Sequence, residues 1–315
     1  HLGHVAVIKN ALAAAERLEV GCTVISVRRG VSDELMTLKS FEESLAKLGV
    51  DTLILLDLED IKDTSAEDFV DDFLFSKLKV RHMTCGFNCR FGRGAKGTAD
   101  FLKEKCRAFG AEFTAVSPVE YDGCVVSSSA IRQAIKSGDI RLANGMLGRA
   151  FSFDFPVVSG QHLGRKLMAP TINQPLPPGF ILPRFGVYAS RAKLGGRIYC
   201  AVTNIGVRPT VSDENIPRAE SYILNFSGDL YGEAVEVELF DFLRDEKKFA
   251  TLGELEAARE ECPDFRVLDC TCPYVDKVRR IAEENSGPDS LFILIGAAEH
   301  PEVRGIMSCC RGDGL

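Results

Sequence analysis

Near Phe151 the spacing of apolar residues changes from helical to alternating, and this change limits the chain to two domains of different class. Ahead of it, Val5, Ile8, Leu12, Ala15 and Leu18 form one helical stripe. Residues 22–27 read as a strand, and Leu35, Leu38, Phe41, Leu45 and Leu48 as the inner face of a second helix. Residues 52–58 are continuously apolar, the pattern of a strand covered on both faces. Ser65 with Asp68 predicts a capped helix through Phe69, Phe73 and Leu74, followed by a strand near 80–85, a helix near 99–109 and a strand at 113–116. Strands alternating with helices predict a mostly parallel sheet. Behind the change, Val187, Ala189, Arg191 and Lys193 alternate with Tyr188, Ser190, Ala192 and Leu194 up to the Gly195-Gly196 turn and a return strand. A second hairpin is expected from 220–226, the turn Ser227-Gly228-Asp229 and 235–240, and an antiparallel barrel is the economical closure. The expected domains are 1–150 and 151–253, with a tail at 254–315.

Three stretches carry groups suited to phosphate. In GQHLGRKLMAPTIN, residues 160–173, Gly160 and Gly164 let backbone N–H groups approach phosphate oxygens beside the cationic Arg165. Thr171 and Asn173 supply oxygen ligands of the kind Mg²⁺ takes, so the stretch points to ATP. HLGH sets His1 and His4 at a helix start, where free N–H groups and the helix dipole favour polyphosphate. VSSSAIR places Ser127 and Ser128 at another helix start with Arg132 one turn on, although a plain serine N-cap accounts for either hydroxyl alone. GRGAKG, at 92–97, satisfies Gly-x-Gly-x-x-Gly, but it follows several elements and is filled by Arg93 and Lys96, which speaks against a dinucleotide-binding redox domain.

On these residues the second domain resembles bacterial riboflavin kinase. The resemblance rests on the Gly-Arg-x-Leu and Pro-Thr-x-Asn of 160–173, then FILPRFGVYAS, TNIGVRPTV, ESYILNFSGDLYG and FLRDEKKF in order. Met168-Ala169 stands where that family has Gly-Phe. HLGH paired with Ser-Ser-x-x-x-Arg resembles the nucleotidyltransferase superfamily, and CGFNCRFGRGAKG its flavin-adenylylating branch, with Cys89 where an aromatic is usual. Together these are similar to bifunctional riboflavin kinase/FAD synthetase. The resemblance implies a nucleotidyltransferase-like parallel-sheet domain followed by a β-barrel kinase domain. It implies phosphorylation of riboflavin to FMN and adenylylation of FMN to FAD, both with ATP and Mg²⁺. Glu220 is then the base for the ribityl hydroxyl, Thr171 and Asn173 the Mg²⁺ ligands, and Arg244 and Phe249 the groups flanking the flavin. Asn88 and Arg90 are expected at the flavin in the first domain. The chain opens on His1, without the family's first strand and its Phe-Asp-Gly-Val lead, and RRGVSDE replaces an Asp-Pro-His stretch. A missing beginning and weaker FAD than FMN formation are therefore expected.

In the tail, RVLDCTCPYVDKVRRIAEE and LFILIGAAEHPEVRGI resemble hydroxymethylbutenyl diphosphate reductase, implying Cys272 as a cluster ligand and His300 as a diphosphate contact. One matching thiolate cannot hold an iron–sulfur cluster, so the tail is expected to be a short α/β fragment without one. A working reductase fusion and a flavin-binding module without catalysis are the alternatives. The 45 acidic against 38 basic residues argue against nucleic acid as the main partner. No apolar run approaches the length of a membrane helix. The expected partners are small molecules, the expected home is the cytoplasm, and the oligomeric state is left open.

Overall fold

Two parallel strand pairs, each closed over a helix, organise the first part of the chain. The computed structural model describes residues 1–28, 30, 33–158, 171–207, 216–224 and 226–245. These divide into two units: His1–Gln133, Gly145–Arg149 and Gly179–Ile181 in the first, and Ala134–Asn144, Ala150–Pro178 and the described residues from Leu182 onward in the second.

The first unit begins with α1 (Leu2–Leu18), β1 (Thr23–Arg28), α2 (Leu38–Leu48) and β2 (Thr52–Asp57). It continues with β3 (His82–Gly86), α3 (Ala99–Ala108) and β4 (Glu112–Val116). β1 runs parallel to β2 from Thr23 opposite Thr52, and β3 parallel to β4 from His82 opposite Glu112. Parallel neighbours need a crossover, and α2 and α3 supply one each. The Thr37 hydroxyl accepts from the Ser40 N–H at 3.2 Å, so α2 starts at Leu38 rather than at Leu35, and Leu38 is exposed rather than inward-facing. Ser65 caps the next helical segment as its spacing with Asp68 predicts, accepting from the Asp68 N–H at 3.0 Å. That segment widens into a π-helix, Phe69–Lys77, whose Val70 and Leu74 are buried with Cys85 and Leu102. β2 departs from its pattern: Leu55 is exposed, so the strand is not covered on both faces.

The glycines of GRGAKG serve packing. A Cβ on Gly92, whose φ is +70°, would stand 2.8 Å from the Ala66 backbone, and one on Gly97 would stand 2.6 Å from the Phe91 ring. No side chain fits at either place.

After α4 (Ser128–Ser137) and α5 (Ile140–Leu147), the second unit is one antiparallel half-barrel. Its strands are β5 (Phe151–Phe153), β6 (Thr171–Pro175), β7 (Gly186–Leu194), β8 (Arg197–Gly206), β9 (Arg218–Ile223) and β10 (Glu236–Arg244). They lie in the order β6-β9-β8-β7-β10-β5. β7 and β8 form the predicted hairpin through Gly195 and Gly196, both in the left-handed region. The expected hairpin between 220–226 and 235–240 does not form: β9 pairs with β6 and β8, while β10 pairs with β7 and β5. The buried Ala219, Ser221 and Ile223 of β9 lie against the apolar face of β8, and that burial outweighs the nearby turn. Tyr188, Ala201, Ile205, Ala219, Val237 and Leu239 fill the core. The Thr203 hydroxyl sits 2.8 Å from those of Ser190 and Ser221, so these buried polar groups satisfy one another.

Candidate active sites

The amino-terminal candidate is built from two helix starts. His1 caps α1, its Nδ1 accepting from the His4 N–H at 3.2 Å, and the two rings stack with centroids 3.7 Å apart. Gly3 lies against the loop ahead of α4: a Cβ there would come within 3.2 Å of the His1 ring and 3.7 Å of the Val126 carbonyl. HLGH and VSSS, far apart in sequence, therefore meet. Ser127 accepts from the Ala130 N–H at 3.2 Å and caps α4, and Ser128 is the first helical residue. Arg132 donates its Nε to the Asp33 carbonyl at 2.8 Å, which ties its guanidinium to the loop before α2. Sequence spacing gave no sign of Asp33 as that partner. His4 has exposed area, but one ring face is covered by His1, and its pKa falls to about 4, chiefly through loss of solvent around the ring. At neutral pH it is an uncharged imidazole.

The predicted flavin segment follows β3. The Cys89 N–H donates to the Gly86 carbonyl at 3.1 Å and the Phe87 N–H to the Val116 carbonyl at 3.0 Å, closing a turn at the ends of β3 and β4. Asn88 folds back over Gly86, its Oδ1 standing 3.5 Å from where a Cβ would be. Arg90 is exposed and donates to the Cys89 carbonyl.

The carboxy-terminal candidate is a row across the half-barrel. Asn173 of β6 lies opposite Glu220 of β9, which lies opposite Asn204 of β8; Asn204 faces Val187 of β7, and Val187 faces Arg244 of β10. Directly paired antiparallel residues share a face, with Cβ atoms about 5 Å apart. Thr171, two residues before Asn173, joins that face. Asn173 is buried, and its amide nitrogen points to the Thr171 carbonyl at 3.5 Å, leaving its side-chain oxygen for another partner. Asn204 enters the row without a signal from the sequence: it lies within TNIGVRPTV, but only the strand register sets it beside Glu220. Gly160, Gly164, Arg165, Phe249, Cys272 and the tail expectations lie outside the described residues.

A parallel-sheet unit followed by an antiparallel half-barrel is the architecture of a FAD synthetase domain joined to a riboflavin kinase domain. The FAD synthetase family model matches residues 1–130 and the riboflavin kinase model residues 147–262; a LytB protein model matches 243–314, where the reductase resemblance lies. The bifunctional riboflavin kinase/FMN adenylyltransferase of Pseudomonas fluorescens is 37% identical over 211 residues, 67% of this chain and 68% of its own. That of Listeria monocytogenes is 32% identical over 273 residues, 83% of this chain and 86% of its own. A solved structure described as a macrolide-efflux protein from Streptococcus pneumoniae matches with a TM-score of 0.73 at 28% identity, over 83% of this chain and 88% of that one. The chain belongs to the bifunctional riboflavin kinase/FMN adenylyltransferase family. Among the described residues no helix is long and apolar enough to cross a membrane.

Proposed function

We propose that the half-barrel phosphorylates riboflavin to FMN and that the parallel-sheet unit adenylylates FMN to FAD, both in the cytoplasm, where ATP is supplied. The observation that carries the kinase assignment is the pairing of Asn173 with Glu220, with Thr171 on the same face. Glu220 takes the proton of the ribityl hydroxyl as its oxygen attacks the γ-phosphorus, and ADP leaves. The donor set fits Mg²⁺: the Thr171 hydroxyl and Asn173 side-chain oxygen are hard ligands, few enough to leave positions for substrate phosphates. Bound there, Mg²⁺ would neutralise charge on the β- and γ-phosphates. Arg244, at the far end of the row, is assigned to the flavin side.

In the other unit, the FMN phosphate attacks the α-phosphorus of ATP and diphosphate leaves. The starts of α1 and α4 present backbone N–H groups to the phosphates. His1 and His4 contribute hydrogen bonds, His4 as a neutral ring, while Ser127, Ser128 and the outer nitrogens of Arg132 complete the cradle. Asn88 and Arg90 meet the flavin. Incubation of the full chain with riboflavin, ATP and Mg²⁺, with the flavins separated by chromatography, should yield FMN and then FAD, and chelation should stop both. Absence of both products in the presence of Mg²⁺ would reject the proposal.

A further inference from the structure

We propose that Cys85 and Cys89 form a peroxide-responsive dithiol, closing reversibly to a disulfide across the turn that carries Asn88. Cys85 ends the apolar part of β3 and Cys89 closes the turn, held back by its N–H bond to the Gly86 carbonyl. Both thiols are free, and Cys89 packs against the core cluster that contains Cys85. The two thiols act on each other's ionisation, through a hydrogen bond from Cys85 that raises its own pKa and lowers that of Cys89, and the turn bond keeps Cys89 against the cluster where Cys85 lies. A disulfide here needs no long-range movement, because the turn has returned the chain on itself.

The two thiols are unequal in a way that assigns their roles. Cys89 is half-buried and can be reached from solvent, whereas Cys85 is buried. The bond from Cys85 holds the Cys89 thiol below its ordinary range, against burial and with help from the Arg90 guanidinium. The same bond and burial push Cys85 up. Cys89, the more accessible and the more acidic of the two, is therefore the attacking thiol and Cys85 the resolving one.

Hydrogen peroxide is the oxidant. The Cys89 sulfur attacks one peroxide oxygen, the O–O bond breaks, and the departing hydroxide takes up the thiol proton as water. The Cys85 sulfur then attacks the resulting sulfenic sulfur; the S–O bond breaks, the S–S bond forms, and a second water leaves with the Cys85 proton. Two thiols give up two electrons and two protons, and one peroxide becomes two waters. A dithiol reductant reverses the change by exchange. Closing the ring fixes the turn around Asn88 and should suppress FAD formation while sparing FMN formation. That consequence rests on the proposed contact of Asn88 and Arg90 with FMN; the disulfide itself does not.

Digestion reports the chemistry directly. Trypsin releases residues 82–90, which contain Cys85 and Cys89 and no other cysteine. The reduced full chain is treated with hydrogen peroxide, alkylated, digested and weighed. The expected peptide is unalkylated and lighter by two hydrogens, and prior dithiothreitol restores the doubly alkylated form. Cys89→Ser should abolish the closed peptide, Cys106→Ser should leave it, and Cys85→Ala should leave a Cys89 sulfenic acid that dimedone captures. A peptide still doubly alkylated after peroxide, or Cys89 joined to Cys106, overturns the dithiol. A closed peptide with unchanged FAD formation overturns only the flavin role of the turn.

Discussion

The two candidate sites are built by different physics. In the half-barrel, Asn173, Glu220 and Asn204 are fixed by hydrogen-bonded neighbours, with β9 held between β6 and β8, over a core that includes Ala219, Ser221 and Thr203. In the other unit, two helix starts meet where Gly3 faces the Val126 carbonyl, and they are shaped by the caps at His1 and Ser127. A site set by register shares the cooperativity of its sheet. A site set by helix starts depends on a few local contacts, each worth about 1 kcal/mol. Single substitutions should therefore remove chemistry from the first without moving it, and move the second without unfolding it.

The largest effect is expected at the centre of the row. Glu220→Gln keeps the shape of the β9 residue but removes the base, and should lower FMN formation by roughly a hundredfold or more. Riboflavin binding and FAD formation from supplied FMN should persist. Turnover near that of the unchanged chain would break the assignment of Glu220.

Below the row, Thr203→Val tests whether the register is what holds the site. It removes the shared partner of the Ser190 and Ser221 hydroxyls in a buried place. A loss of about 1–3 kcal/mol is expected in urea unfolding followed by circular dichroism. Native-state FMN formation should fall far less than in Glu220→Gln. Undiminished stability would mean that the hydroxyl chain contributes nothing to holding the sheet.

What could be seen in the sequence follows the same division between local and distant contacts. The Ser65 cap, α1, α3 and the Gly195-Gly196 hairpin were legible because each depends on neighbours along the chain. The start of α2 was misplaced because the apolar repeat runs back through Leu35, whereas the Thr37 cap ends it. The order of strands was not legible: β9 and β10 are joined by a turn-like segment, yet β8 and β7 lie between them. The same gap hid Asn204, whose pairing with Glu220 is a matter of register rather than spacing. Gly-x-Gly-x-x-Gly misleads for the converse reason: close packing at Gly92 and Gly97 demands glycine as firmly as a phosphate would.

Gly3→Ala sharpens the contrast from the other side. Alanine favours the helix by about 1 kcal/mol over glycine, so α1 itself should not weaken. The new Cβ, however, would sit 3.2 Å from the His1 ring, which must yield by a few tenths of an ångström and disturb both its stack and its cap. FAD formation should fall by about tenfold, equivalent to about 1.4 kcal/mol, while FMN formation and the unfolding midpoint stay level. A fall in FMN formation as well would show that the two sites are not independently built.

The smallest effect is expected from the titration of His4. Its folded pKa is about 4 against an ordinary 6.5, with covering of the ring as the main cause. Above pH 6.5 the ring is neutral whether the chain is folded or unfolded, and its contribution is fully present. As the pH falls from 6.5 towards 4, the unfolded chain takes up a proton that the folded chain refuses, so stability declines across that window. Solvent at the exposed part of His4 screens the difference, which is why the decline should be shallow. His4→Gln removes the titrating group, and urea midpoints measured between pH 4 and 7 should vary less with pH than those of the unchanged chain. Equal slopes would mean that His1 does not cover His4 in solution. The functional counterpart is salt dependence: under the proposed assignment a neutral His4 would meet phosphate by hydrogen bonding alone, so the substitution should weaken ATP binding without changing how that binding responds to salt.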